Sequence, residues 1–366
     1  MIPVFEPTLT AEAHSYVSEC MSTNWISSQG DFITKFETKL SKLHEDRHCA
    51  VTSSCTTALH LALLACDIGP GDEVICPDLT FIAPVNMISL TGAKPVLCDV
   101  ETDTFCMSVD TIRPKITNRT KAIVVVHAFG HLANMPEILE LGKKYNLRVI
   151  EDVAEAPGGM IGNKIAGTFG DISCFSFFAN KIFTSGEGGA CLSSDDKIIE
   201  RIKILRDHGM SMEKRYYHPV IGFNYRMTNL QAAIGLSQVE QFDEIIHRRK
   251  SIEDLYIKFF KDNEKIKYRH YADWCKGVFW LATVTIPEMS DRKHIISKLM
   301  DKGIECRQMV FPVHEAPPYH KLANDSLKNS IFISHKSLHL PSSSNLNKEQ
   351  IQFITDSLVT AIDEQC

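Results

Sequence analysis

Ser173-Cys-Phe-Ser-Phe-Phe-Ala-Asn-Lys181-Ile-Phe-Thr-Ser-Gly-Glu-Gly-Gly189 runs a short apolar strand straight into a lysine and then into a glycine-rich turn. Upstream, Glu151-Asp152 closes another apolar run at 147–150. A desolvated lysine and a carboxylate, each at a strand end, are the pair that pyridoxal 5'-phosphate chemistry requires. The lysine amine forms the Schiff base. The carboxylate keeps the pyridine nitrogen protonated, so the ring acts as an electron sink. The glycines after Lys181 allow close backbone approach.

Working outward, strand-like and helix-like patterns alternate from about 48 to 195. Strands are expected at 49–52, 73–76, 95–99, 122–127 and 148–151, with helices at 56–66, 84–91 and 136–145. Such alternation predicts an α/β fold with a mostly parallel central sheet covered on both faces. In such sheets ligands collect at the carboxyl ends of the strands. Thr52-Ser-Ser, Asp78-Leu-Thr-Phe81, His127, Glu151-Asp152 and Asn180-Lys181 all fall at that edge. From about 229 the pattern changes. A long helix is expected over 231–249, continuing or restarting at 253–260, and shorter strands and helices follow. The expected division is a large domain, 1–235, and a smaller α+β C-terminal domain, 236–366.

The 366 residues, 44% of them hydrophobic, suffice for a large core and favour two domains. A net charge of −6 gives no basis for binding nucleic acid or an anionic membrane. Twelve cysteines without a C-x-x-C read as reduced thiols in a cytoplasmic protein. Met1-Ile-Pro-Val-Phe-Glu lacks a basic n-region and a long apolar h-region. No apolar run spans a bilayer, so the sequons at Asn118 and Asn324 carry no weight.

Each motif has a plain reading beside a chemical one. Thr52-Ser-Ser-Cys-Thr-Thr57 is an ordinary helix cap or a phosphate cradle at a helix N-terminus. Phe81 is core or a ring stacked on a flat cofactor. Asp152 is a turn residue or the pyridinium partner, and Glu155 is a second carboxylate beside it. Arg215-Tyr-Tyr-His218 and Phe223-Asn-Tyr-Arg226 are exposed loop or an anion- and sugar-binding surface. His44-Glu-Asp-Arg-His48 matches the zinc-protease pattern but runs directly into a strand. Its histidines do not share a helical face, so no metal site is expected.

Taken in order, Asn24-Trp-Ile-Ser-Ser, Thr56-Thr-Ala-Leu-His-Leu-Ala, Gly69-Pro-Gly-Asp-Glu-Val, Glu151-Asp-Val-Ala-Glu-Ala, Gly167-Thr-Phe-Gly-Asp-Ile-Ser, Ser176-Phe-Phe-Ala-Asn-Lys, Gly186-Glu-Gly-Gly and Gly222-Phe-Asn-Tyr-Arg-Met-Thr-Asn resemble the DegT/DnrJ/StrS-type sugar-nucleotide aminotransferases. These are fold-type-I, aspartate aminotransferase-like enzymes. The resemblance runs from Ile2 to the C-terminus and looks nearest to the perosamine- and viosamine-forming 4-aminotransferases. It implies transfer of an amino group from L-glutamate to C4 of a nucleotide-linked 4-keto-6-deoxyhexose. Pyridoxal 5'-phosphate would be the cofactor and pyridoxamine 5'-phosphate the intermediate form.

By that resemblance Lys181 is the catalytic lysine, Asp152 pairs with the pyridinium and Phe81 stacks on the ring. Glu155 lies near the cofactor, and Cys55, Thr56 and Ser176 hold its phosphate. Asn224 reaches the phosphate of the neighbouring subunit's cofactor, which implies a homodimer with shared sites. Trp25, Ser27, Arg215, Tyr216 and His314 are implied substrate contacts. Two departures stand out. Cys55 occupies a position that is glycine in most relatives, and would be strained by ~1 kcal/mol or more if the turn needs positive φ. His127-Ala-Phe-Gly-His131 replaces the usual His-Leu-Tyr-Gly-Gln. The alternatives are amination at C3, a sugar dehydratase (in which histidine replaces the lysine), and a non-catalytic cofactor-binding protein.

Overall fold

The computed structural model describes residues 1–364. In chain order the helices are α1 (Ala11–Thr23), α2 (Asp31–Leu43), α3 (Cys55–Ala65), α4 (Ala83–Leu90), α5 (Val109–Ile112), α6 (Met135–Tyr145), α7 (Asp196–Arg206), α8 (Asn229–Glu240), α9 (Phe242–Phe260), α10 (Arg292–Asp301), α11 (Lys328–Lys336) and α12 (Lys348–Asp363). The strands are β1 (His48–Thr52), β2 (Glu73–Pro77), β3 (Lys94–Cys98), β4 (Thr120–Val126), β5 (Arg148–Asp152), β6 (Met160–Ile161), β7 (Lys164–Ile165), β8 (Ile172–Ser176), β9 (Gly189–Ser193), β10 (Lys267–Tyr268), β11 (Cys275–Lys276), β12 (Ala282–Thr285), β13 (Arg307–Gln308) and β14 (Ser337–Leu340).

The central sheet has seven strands in the order β1-β9-β8-β5-β4-β2-β3. Pairing is parallel from β8 through β5, β4 and β2 to β3. Only β9 runs against its neighbours, β1 and β8. Its central strands are buried along their length, Ala122–Val126 of β4 among them. They therefore read as continuous apolar runs rather than alternating ones. The expected α/β class with a mostly parallel sheet is the observed one.

A second sheet, β10-β12-β14-β13, is antiparallel and closes over the C-terminal core of Tyr256, Phe260, Val284, Leu338 and Ile354. The N-terminal segment is pinned to this part of the molecule. Ile2 bridges to Ile304, and the Val4 amide donates to Glu305 Oε2 at 3.0 Å.

The one long helix expected over 231–249 is instead two. The chain leaves helical geometry at Gln241 (φ −102°, ψ 27°), with neither glycine nor proline there. Packing explains the break. α8 lies against α1 and α2, whereas α9 lies against β10 and α12. A straight helix could not bury an apolar face on both sides. The last two residues of the expected 236–366 domain lie outside the described residues.

Candidate active site

The site forms at the carboxyl edge of the central sheet, where β1, β2, β4, β5 and β8 end. Ser54 caps α3. Its hydroxyl accepts from the Thr57 amide while Thr57 Oγ1 accepts from the Ser54 amide, a reciprocal capping box. This fixes the first turn of α3 with the amides of Cys55 and Thr56 making no hydrogen bond among the described residues. Free N–H groups at a helix start favour an anion there. Gly189 crosses directly over this turn. A Cβ on Gly189 would sit 2.5 Å from Ser54 O and 2.6 Å from Cys55 N, so only glycine permits the approach. Cys55 is the first residue of the helix and is absent from the residues with positive φ. The turn therefore does not need positive φ at Cys55, and the strain that such a need would bring does not arise.

A cavity of about 410 Å³ opens over this turn. Thr56, Phe81, Asp152, Glu155, Ser176 and Lys181 all line it, together with Cys55. Phe81 is 61% exposed, an apolar ring presented to open space. Asp152 is buried. It accepts from the Ala154 amide (3.0 Å) and, weakly, from the Cys55 thiol (3.9 Å). Burial pushes its pKa up, opposed by the Ala154 amide and the ammonium of Lys181. Glu155 is likewise raised by burial and drawn down by Lys181 and by the Phe129 amide, which donates to Oε2 at 2.8 Å. Burial, with Asp152 beside it, also raises the Cys55 thiol well above its ordinary value. Cys55 is therefore a neutral donor.

Lys181 Nζ makes no hydrogen bond or ion pair among the described residues and lies 3.9 Å from the centre of the Trp280 ring. Trp280 is held in turn: Nε1–H donates to Asn180 O at 2.7 Å, and its ring stacks on Phe129 at 5.9 Å. Phe129 has φ of 50°, a left-handed conformation that a bulky residue rarely adopts. Gly130 makes this turn possible, since a Cβ there would strike the Val278 carbonyl. Beside the second sheet the wall is Arg307, Gln308, Val310 and His339. Burial, with Arg269 and Arg307 nearby, lowers the His339 pKa to about 3, so its imidazole is neutral.

The remaining implied site residues lie elsewhere. His314 is buried against Asp78, its Nδ1 2.7 Å from Oδ2 and its amide 3.0 Å from Oδ1, and does not line the cavity. Trp25, Ser27, Arg215, Tyr216 and Asn224 are exposed and outside it. Asn224 Oδ1 accepts from Arg226 Nε, and the Arg215 guanidinium lies over the Tyr216 ring. His131 is buried, bonded to Leu132 O and the Ala272 amide. Of the unusual 127–131 segment, only Phe129 faces the cavity. Sequence reasoning missed Trp280, just before β12, and Arg307, Gln308 and His339 on β13 and β14, where no local motif marks them.

The site fits pyridoxal phosphate. It offers free amides at a helix start beside Ser176 and Thr56, a buried carboxylate with an open valence, an exposed aromatic ring and an unpaired lysine. Asn180 Oδ1 is also buried without a partner. Among the described residues, no group of three His, Cys, Asp or Glu is arranged to hold a metal ion.

Comparison with known proteins gives the same answer. Residues 7–359 match the DegT/DnrJ/EryC1/StrS aminotransferase family. A GDP-perosamine synthase of Escherichia coli O157:H7 is 42% identical over 363 residues, 98% of this chain and 97% of that protein. One of Caulobacter vibrioides is 42% identical over 366 residues, covering 99% and 98%. The crystal structure of the aminotransferase TlmJ of Streptoalloteichus hindustanus superposes with a TM-score of 0.94 over the whole of both chains, at 26% identity.

Proposed function

The chain belongs to the DegT/DnrJ/EryC1/StrS aminotransferase family, and from that premise we propose that it is a pyridoxal-phosphate-dependent sugar-nucleotide aminotransferase working at C4 of a 4-keto-6-deoxyhexose. The observation that carries the reading is the unpaired Lys181 lining one cavity with Asp152, Glu155 and the free-amide turn of α3. The likeness to two GDP-perosamine synthases favours a GDP-linked sugar of the perosamine type. L-glutamate is the amino donor in this reading.

When bound, the cofactor would supply a carrier for the amino group and an electron sink in its ring. The chain's own residues do the rest. The Cys55 and Thr56 amides, with the Thr56 and Ser176 hydroxyls, hold the phosphate. Asp152 would pair with the ring nitrogen and keep that nitrogen protonated. Phe81 would stack on the ring. Lys181 Nζ would anchor the cofactor and, once free, would act as the acid/base of both halves, moving a proton from the donor's Cα to the cofactor in the first and from the cofactor to C4 of the sugar in the second. Phe129, Trp280 and His339 wall the sugar side and exclude water.

We further propose a homodimer. Asn224 and the Arg215–Tyr216 loop lie outside their own chain's cavity, and Trp25, Ile26, Tyr216, Tyr217 and Ile221 expose apolar surface. Asn224 then completes the partner's phosphate site. No described helix is long and apolar enough to cross a membrane, and the eleven described cysteines are unpaired. A cytoplasmic setting accords with the reduced thiols.

The test is the absorption spectrum of the purified protein with the cofactor, before and after glutamate, for wild type and Lys181→Ala. The reading predicts that glutamate abolishes the visible band of the wild type. Lys181→Ala should bind cofactor yet show no turnover. An unchanged wild-type spectrum, or full activity in Lys181→Ala, contradicts it.

A further inference from the structure

A second cavity of about 200 Å³ lies on the other side of Lys181, between the 5–11 segment and helices α8 and α9. Arg248, Arg249 and Lys181 line it, and no aspartate or glutamate does. Arg248 is half exposed and bonded outward to Glu244. Arg249 is different. It is 3% exposed, and among the described residues it has no carboxylate partner. Its Nη1 makes only two long contacts, 3.4 Å each, to the carbonyls of Phe279 and Trp280. Its Nε is buried without any acceptor. The guanidinium rests on the Phe5 ring, 4.9 Å from its centre. Burial alone pulls its pKa down to about 9, with no neighbouring acid to restore it.

A buried, unpaired guanidinium is costly, and in most proteins it is matched by an anion. Two features show where that anion would sit. The cavity has donors besides the arginines, Gln238 and Thr184 among its lining. It also meets the cofactor pocket at Lys181, which lines both.

We propose that this cavity is an anion-binding site centred on Arg249, and that it takes a small carboxylate or inorganic oxyanion. Two sources share that chemistry: the distal carboxylate of a dicarboxylic amino donor reaching past Lys181, and a free ion such as phosphate. Only the first source rests on the aminotransferase reading; the site itself does not.

The experiment is calorimetric titration of the cofactor-saturated protein, without substrate, using glutarate and inorganic phosphate as separate probes. Cofactor saturation keeps the phosphate probe out of the α3 turn. Wild type, Arg249→Gln and Arg248→Gln are compared. Saturable binding of a probe by wild type is expected. Arg249→Gln should weaken it at least about tenfold, because a charge-assisted pair is lost. Arg248→Gln, a surface change that leaves the fold untouched, should weaken it about twofold to fivefold. Glutarate binding without phosphate binding assigns the site to the donor's distal carboxylate. Binding of both assigns it to a free anion. No saturable binding by wild type, or equal affinity in wild type and both variants, overturns the proposal. Should Arg249→Gln fail to fold, unchanged affinity in Arg248→Gln together with insensitivity to salt overturns it as well. Phosphate binding is independent of turnover, so a failed amino-transfer assay leaves this result standing, and the converse also holds.

Discussion

Glu151 and Asp152 are adjacent carboxylates on β5, buried on opposite faces of one sheet, and their surroundings could hardly differ more. Glu151 accepts from His127 Nε2 (3.2 Å) and from the amides of Gly167 (2.9 Å), Phe169 (2.8 Å) and Gly170 (2.6 Å). His127 Nδ1 accepts from the Ala133 amide, so Nε2 carries the proton that Glu151 receives. Burial works against ionisation of Glu151. The His127 and glycine-amide hydrogen bonds outweigh it and hold the carboxyl below its ordinary range. Asp152 has one amide and one weak thiol, and burial holds its pKa up. A carboxylate whose acceptor sites are filled organises the fold, here by gathering the 167–170 loop. A buried carboxylate left with an open valence awaits a ligand.

The comparison can be broken by exchanging charge for amide at each position. Asp152→Asn is expected to lower turnover about 10²–10³-fold, the cost of removing one member of a buried ion pair. Its thermal midpoint should stay near wild type. Turnover within a few-fold of wild type would place the ring partner elsewhere. Glu151→Gln should do the reverse. It replaces an acceptor oxygen with a donor that faces amide N–H groups. Unfolding free energy should fall by about 2–3 kcal/mol in denaturant titrations, with activity per folded molecule nearly kept.

The same pair is sharpened by pH. The folded-state pKa of Glu151 lies below its ordinary value of 4.5. Its contribution to stability is therefore fully present above that value and is lost as pH falls through the folded pKa. Wild type should lose part of its advantage over Glu151→Gln in denaturant titrations stepped below pH ~4.5; a constant gap would show that Glu151 is not held ionised. The smallest effect is expected at Cys55. Removing a thiol that donates weakly to Asp152 should change cofactor affinity in Cys55→Ala by about fivefold or less, near 1 kcal/mol. A much larger loss would make the thiol a principal partner of Asp152.

One half of the site was legible in the sequence because it is written locally. Strand ends in a parallel sheet place Ser54, Asp152, Ser176 and Lys181 at one edge. The turn after β1 and the glycines after Lys181 announce close backbone approach. The other half is written across the chain. Trp280, Arg307 and His339 reach the cavity only because β12, β13 and β14 pair antiparallel and bring their residues to the edge of the central sheet. No spacing in the sequence encodes that return. His131 is the converse case, a departure from the usual segment that does not reach the cavity. Its side chain turns inward, and Phe129 beside it occupies the wall instead. The break at Gln241 was invisible because it arises from two packing partners rather than from a helix-breaking residue.

The most direct test of the account is amino transfer from 15N-labelled L-glutamate to a GDP-linked 4-keto-6-deoxyhexose, with the product examined by NMR. The account predicts 15N bonded to C4 of the sugar and an equal amount of 2-oxoglutarate, both absent with Lys181→Ala. Label that remains wholly in glutamate, or nitrogen appearing at another carbon, would contradict it.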